Sequence, residues 1–377
     1  MKKAFLTLAF LTSSIFATQY QIQEVNMPFG DVGVKMPIKL DVGFGSGAFY
    51  DKKSDSLYVI TDRGANIDCD DTKKILGKKL CKKGKIFPFP KFTPTIYKLN
   101  LLNNKFEVTK QIPLRTKSKA LVSGISNPQT EISYDLDLNE LDYDVNGIDS
   151  EAISMDKDGK FYIADEYGPS IFITNSIGEI QERWVPNGVG KSLFKADYDI
   201  VENIPAKLRN RQLNRGFEAV AISPDSTTLY TMLQSPYKDE ISSKKVPLLL
   251  FDIKTKKLIK QLYYPLDNAN SFIKDNAKKK RKQNDVKVSE MSMLENGDLI
   301  VLERINKTTK FYKVDVKNAK DESVLKKELI FNTDSVKNFP SKIEALGVVS
   351  DTQWILINDN DFGINGEKTQ IIRLNLR

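Results

Sequence analysis

The sequence predicts an all-β protein, a single β-propeller, on three observations. A strand–turn–strand unit recurs five times, most copies are followed by two more strands, and helical periodicity is confined to short pieces at 206–210 and 271–279. One four-stranded unit cannot bury both of its faces alone, so the copies must pack around a shared axis. At 377 residues the chain is long enough to hold five clear blades, and the wide gap between the first two copies leaves room for part of a sixth.

The chain begins with Lys2 and Lys3, an apolar run from Ala4 to Leu11, and small residues ending at Ala17. This is the pattern of a signal peptide over 1–17, cleaved near Ala17. It is too short to cross a bilayer and no later stretch reaches a spanning length, so a periplasmic or secreted protein without a transmembrane segment is expected over 18–377. Strands are expected at 19–25 and 34–40, separated by the turn Pro28-Phe29-Gly30. The first of these should pair with the last blade, which otherwise lacks its fourth strand, and so close the ring.

The first copy reads Gly45-Ser46-Gly47-Ala48-Phe49-Tyr50, a polar turn, then Leu57 through Thr61-Asp62-Arg63-Gly64. A lysine-rich insertion follows, and strands resume at 95–99 and 105–108. Residues 115–146 form a polar loop carrying Asp135, Asp137, Glu140, Asp142 and Asp144, expected on the rim of the second copy as either a solvated or a ligand-bearing segment. The second copy holds Gly147-Ile148-Asp149-Ser150-Glu151-Ala152-Ile153 and Ala164-Asp165-Glu166-Tyr167-Gly168-Pro169 on either side of the turn Asp156-Lys157-Asp158-Gly159, with further strands at 170–174 and 180–184. The third opens Asn214-Arg215-Gly216-Phe217-Glu218, returns through Leu229 to Gln234, and continues at 247–253 and 257–264. The fourth holds Ser289-Glu290-Met291 and Leu302-Glu303-Arg304. The fifth holds Lys342-Ile343-Glu344-Ala345 and Asn358-Asp359-Asn360-Asp361, and ends in a strand at 369–376.

Composition excludes whole classes of chemistry. The chain has no histidine, so no Ser-His-Asp triad, Cys-His pair, histidine phosphatase or HExxH centre can be built from it. Cys69 and Cys81 are expected to form one local disulfide in an oxidising compartment, with a pair of free thiols as the other reading. The formal charge of +8 and pI near 9.0 suit anionic partners. The run Lys278-Lys279-Lys280-Arg281-Lys282 lacks interleaved aromatics and reads as a solvated face, not a nucleic-acid site.

The chemistry that remains is carboxylate, arginine and hard-cation chemistry. Glu151, Glu218, Glu290 and Glu344 are read as occupying one position in the channel-lining strand of their blades, with Gly47 standing there in the first copy. With Asp361 they form the candidate Ca²⁺ ligands, because facing carboxylates repel or hold protons unless a cation neutralises them. The alternative is structural: each Glu bridges neighbouring blades, with Arg63, Arg215 and Arg304 as counter-charges. A second ring comes from the ends of the next strands, where Asp62, Arg63, Asp165, Glu166, Arg304 and Asp359 are the candidate catalytic residues and Gln234 interrupts the acids. Glu166 or Asp359 would serve as base, with Arg63 and Arg304 holding an anionic group.

The motifs around Asp62-Arg63, Asp149-Ser150-Glu151, Asp165-Glu166-Tyr167-Gly168-Pro169, Arg215-Gly216-Phe217-Glu218 and Asp359-Asn360-Asp361-Phe362 make the chain resemble the phytase-like family, described as having the esterase-like activity of phytase. The resemblance implies an exported propeller related in architecture to calcium-dependent propeller phytases. It also suggests hydrolysis of phosphate esters or related esters, and so a small anionic substrate; the chain is expected to be a monomer. A non-catalytic propeller that binds a glycan, a peptide or an anionic envelope component, and a lactonase-like metal-dependent hydrolase, are the alternatives from other classes.

Overall fold

The computed structural model describes residues 18–28 and 40–376. Residues 1–17, expected to be a signal peptide, and most of the strand and turn expected between 28 and 40 lie outside the described residues. Sheet I joins Gly47–Asp51, Ser56–Ile60, Thr95–Leu102 and Lys105–Pro113. Sheet II joins Ser150–Met155, Phe161–Asp165, Ser170–Thr174 and Ile180–Pro186, and gains a parallel outer strand, Asp199–Ile204, that the sequence did not suggest. Sheet III runs Phe217–Ile222, Thr228–Leu233, Lys245–Asp252 and Leu258–Pro265; sheet IV runs Lys287–Met293, Leu299–Arg304, Thr309–Val314 and Lys327–Asn332. Sheet V joins Ile343–Val348, Gln353–Asn358 and Thr369–Asn375, and its outer strand is Gln19–Val25 from the other end of the chain, antiparallel from Gln19 against Asn375 to Val25 against Thr369.

The first strands of these sheets form a ring. That of sheet I packs on those of II and V, II on III, III on IV, and IV on V. Each neighbouring pair also encloses its own apolar core. Ile60 and Ile163 meet between I and II, Leu229 and Trp184 between II and III, Met232 and Val301 between III and IV, Leu302 and Trp354 between IV and V, and Ile357 and Val59 between V and I. Both faces of a sheet are therefore apolar, and each buried large side chain contributes about 1.5–3 kcal/mol. This is the arrangement of a β-propeller.

A sixth sheet is small and lies outside the ring order. It is built from the two-residue strands Ile67–Asp68, Lys85–Ile86, Ser133–Tyr134 and Glu140–Leu141. It ties the cysteine-bearing insertion to the acidic loop, and Cys69 and Cys81 are joined by a disulfide within it. Among the described residues helix is limited to single turns, including Ala206–Asn210 and Ile273–Asn276. No described helix is long and apolar enough to cross a membrane.

Candidate functional site

The register of each inner hairpin decides which side chains reach the mouth of the ring. In sheets II, III and V the pairing skips Glu151, Glu218 and Glu344 respectively, so each is the extra residue of a β-bulge. A bulge re-aims a side chain and bends its strand, which suits residues that must converge at a rim. In sheet IV the skipped residue is Ser289, not Glu290. Glu290 pairs with Leu302, as Ala152 pairs with Ala164.

The expectation that Glu290 shares one position with the other three glutamates is therefore corrected. It is fully buried, and its carboxylate accepts from Ala48 N at 3.2 Å, on sheet I, and from Met291 N at 3.0 Å. Sheet I pairs Gly47 with Ile60, which makes Ser46 the equivalent of the glutamates and Gly47 the equivalent of Ala152. Gly47 also lies flat on sheet II, where an added Cβ would come within 2.6 Å of Ala152 Cα.

The same registers sort the second ring. Counting from the pairs Gly47–Ile60, Ala152–Ala164, Ala219–Met232, Glu290–Leu302 and Ala345–Ile357, the equivalent residues are Asp62, Glu166, Gln234, Arg304 and Asp359. Asp165 and Glu303 are one residue earlier and point to the other face, as strand alternation requires. Both are fully buried there. Asp165 pairs with Arg183 at 2.9 Å and accepts from Ser170 Oγ at 2.7 Å; Glu303 pairs with Lys327 at 2.6 Å and accepts from Tyr264 Oη at 2.9 Å. Asp165 thus holds the sheet together behind the mouth.

Arg63 is the electrostatic centre of the mouth. Its Nη2 lies 2.6 Å from Asp149 Oδ2 and donates to Glu166 Oε2 at 3.1 Å and Asn214 Oδ1 at 2.6 Å, while Nη1 donates to Glu131 Oε1 at 3.2 Å. The guanidinium also sits 5.1 Å from the centre of the Tyr167 ring. The long acidic loop does reach this rim through Glu131, which was not among the acids singled out from sequence. Gln234, placed in the ring as an interruption, donates to Glu166 Oε1 at 2.9 Å, so both oxygens of Glu166 are engaged.

On the opposite side, Arg304 is equally committed. Nη1 donates to Ile305 O, Nη2 pairs with Glu344, and Nε donates to Ser289 Oγ, which itself donates to Glu218 Oε2 at 3.0 Å. Arg215 bonds Ser235 Oγ and Asn284 O. Asp359 accepts from Asp361 N at 2.8 Å, and Asp361 is drawn off to an ion pair with Lys342. Lys287 differs from these cations: half-buried and close in field to Glu218 and Arg304, it makes no ion pair among the described residues.

Asp62, Asp149 and Glu151 bring one carboxylate oxygen each to within 4.8 Å of one another. Of these the sequence reading had Glu151 as a ligand and Asp62 as catalytic, and it gave Asp149 no role. Burial pushes all three carboxyls up. Asp62 rises to about 7 even though Arg63 and the Gly64 amide pull it down; burial raises Asp149 well up against the pull of Arg63, and raises Glu151 with Asp149, Glu166 and Glu218 adding to it. Burial and Glu166 likewise raise Glu218, and burial, Asp361 and Glu344 raise Asp359. One arginine shared among Asp149, Glu131 and Glu166 does not neutralise this cluster. An all-oxygen set of this kind, short of positive charge, fits a hard divalent cation.

Comparison with known proteins places this geometry in a family. A curated relative from Arthroderma benhamiae, called an uncharacterized secreted protein, is 32% identical over 112 residues, which are 26% of this chain and 22% of that protein. The chain thus spans about a fifth of that relative's length. Among solved structures, a luciferin-regenerating enzyme aligns at 10% identity over 95% of both chains with a TM-score of 0.39. The Cps50 (Swd1) β-propeller domain of Myceliophteria thermophila aligns at 10% identity over 91% of this chain and 99% of its own, with a TM-score of 0.38. The calcium-binding protein regucalcin of Agrobacterium tumefaciens aligns at 11% identity over 94% of both, also at 0.38. A family model matches residues 41–362, nearly all of the described chain, and by that match the protein belongs to the phytase-like family, described by the esterase-like activity of phytase.

Proposed function

We propose that the protein is an exported, divalent-cation-dependent hydrolase of phosphate esters or related esters, with its reaction centre at the acidic mouth. The observation that carries this reading is the convergence of Asp62, Asp149 and Glu151 beside an arginine unable to neutralise them, in a chain of the phytase-like family. These three residues would hold the cation, with Ca²⁺ the best match to the oxygen donors. A bound divalent cation polarises a phosphoryl or carbonyl oxygen and acidifies a water molecule.

The residues of the chain divide the remaining tasks. Arg63 fixes Asp149 and Glu166 in place and is not available to a substrate, and the same holds for Arg304 through Glu344 and Ser289. Among the described residues of the mouth, Lys287 is the cation left to take an anionic oxygen. Burial and acidic neighbours push the carboxyls of Asp359 and Glu218 up, so these two would hold and return a proton in the reaction. The same reading takes residues 18–377 as one five-bladed, monomeric propeller. It counts sheets I–V as the blades and the small sixth sheet as an insertion, and it takes 1–17 as a cleaved leader.

The saturation of Arg63 and Arg304 by their own carboxylates favours a second reading, in which the rings are structural and the protein is a non-catalytic module that binds a glycan or a peptide. Hydrolysis of p-nitrophenyl phosphate and p-nitrophenyl acetate, with and without chelator, separates the two. Turnover that is lost with chelator and in Glu151→Gln supports the hydrolase. No turnover in calcium-saturated wild type would leave the binding module.

A further inference from the structure

The ring has a second mouth, at the end away from the acids. There the inner hairpin turns of sheets I–IV surround a cavity of about 810 Å³. Its floor is apolar, formed by Ile153, Val220 and Met291, and Phe49, Met155 and Met293 stand half-buried in its wall. A volume of this order is in the range of small-molecule sites, and methionine walls adapt to irregular apolar ligands.

The charges around this cavity are unequal in a way the composition does not show. Asp51 accepts from Lys53 N at 3.1 Å and from Ser54 Oγ at 2.6 Å; Asp156 accepts from Asp158 N, Lys160 N and Tyr162 Oη. Glu295 pairs with Lys52 at 2.7 Å. Asp51 and Asp156 are turned into their own turns and Glu295 is matched, while the exposed Asp158 leaves the lining with four acids against five lysines, Lys52, Lys53, Lys98, Lys110 and Lys157. Lys53, Lys110 and Lys157 are exposed on the rim and make no ion pair among the described residues. A low-dielectric cavity lined by one excess sign focuses that field on its interior.

We propose that this second mouth binds a small amphipathic anion: an acyl or aryl chain seated on Val220, Met291 and Met293, with a carboxylate, sulfonate or phosphate head among Lys53, Lys110 and Lys157. The site is separate from the acidic mouth and independent of any hydrolysis there. Anilinonaphthalene sulfonate, itself an aryl anion, serves as the probe, with decanoate and decylammonium as competitors. The expected result is one saturable fluorescence transition on folded protein, reversed by decanoate and not by decylammonium. The exposed pair Lys53→Glu/Lys157→Glu should weaken binding about tenfold with an unchanged melting temperature. Lys53→Gln/Lys157→Gln should fall between, and Glu151→Gln, at the other mouth, should bind as wild type. Absence of saturable binding, equal displacement by decylammonium, or wild-type affinity in the charge-reversed pair would overturn the proposal.

Discussion

Arg63 Nη2 lies 2.6 Å from Asp149 Oδ2, and both side chains are almost wholly withdrawn from water. The pair joins the end of sheet I's second strand to the entrance of sheet II's first, so one contact both closes a blade interface and sets the charge of the mouth. Removing one partner of a buried pair leaves the other uncompensated, which costs far more than the pair contributes. Arg63→Ala should destabilise the protein by about 3–5 kcal/mol in urea unfolding, and added calcium should recover part of that loss because the stranded carboxylates gain a cation. A loss below about 1 kcal/mol would show that Arg63 is not their counter-charge.

Gly216 makes a different kind of contact. A Cβ there would lie 2.4 Å from Glu166 O and 2.7 Å from Glu166 Cα, so the loop before sheet III can rest on the backbone of Glu166 only because the residue is glycine. Gly216→Ala should cost roughly 1–3 kcal/mol by overpacking and should weaken cation binding by displacing Glu166 from Arg63. Melting temperature and calcium affinity, measured together, check both parts.

The raised carboxyls give a pH dependence with a definite sign. Asp62 titrates at about 7 in the fold against an ordinary 3.8, so across that window the folded state binds more protons than the unfolded chain, and stability without metal falls as pH rises. Below the window both states are protonated; above it the full penalty of buried charge is present. Divalent cations compete with those protons. The melting-temperature gain from calcium should therefore be small at pH 5 and should grow through pH 8. A gain that shrank with rising pH would contradict the account.

Much of this was legible in the residues and some was not, for reasons of register. The repeated hairpins, the closing pair of terminal strands and the Cys69–Cys81 link follow from alternation, turn residues and spacing, which are local signals. The bulges are not local. Val288-Ser289-Glu290 looks like a copy of Phe217-Glu218, yet the partner strand skips Ser289, and only the pairing reveals it. Adjacent polar residues such as Asp165 and Glu166 cannot both face the mouth, but choosing between them required Arg183, which lies on another strand of the sheet. Asp149 was within reach of the local pattern, since it lies two residues before Glu151 and alternation returns its side chain to the same side; Lys287 stands in the same relation to Ser289, which only the pairing singles out.

Lys287 tests the assignment of the anion-binding group. It has no ion-pair partner among the described residues to lose, so Lys287→Met should leave stability within about 1 kcal/mol of wild type and leave calcium binding intact. It should raise KM for a phosphate ester at least as much as it lowers kcat. Unchanged KM with a fallen kcat would move Lys287 from substrate binding to proton transfer.

The central claim is that Asp62, Asp149 and Glu151, and not a symmetrical ring of glutamates, form the cation site. Calorimetric titration of calcium into the wild-type protein, Glu151→Gln and Glu290→Gln tests it most directly. The account predicts one site in wild type, its loss in Glu151→Gln, and wild-type affinity in Glu290→Gln, because Glu290 is bonded to Ala48 N and Met291 N away from the cluster. Equal loss in both variants, or calcium binding unaffected by Glu151→Gln, would contradict it.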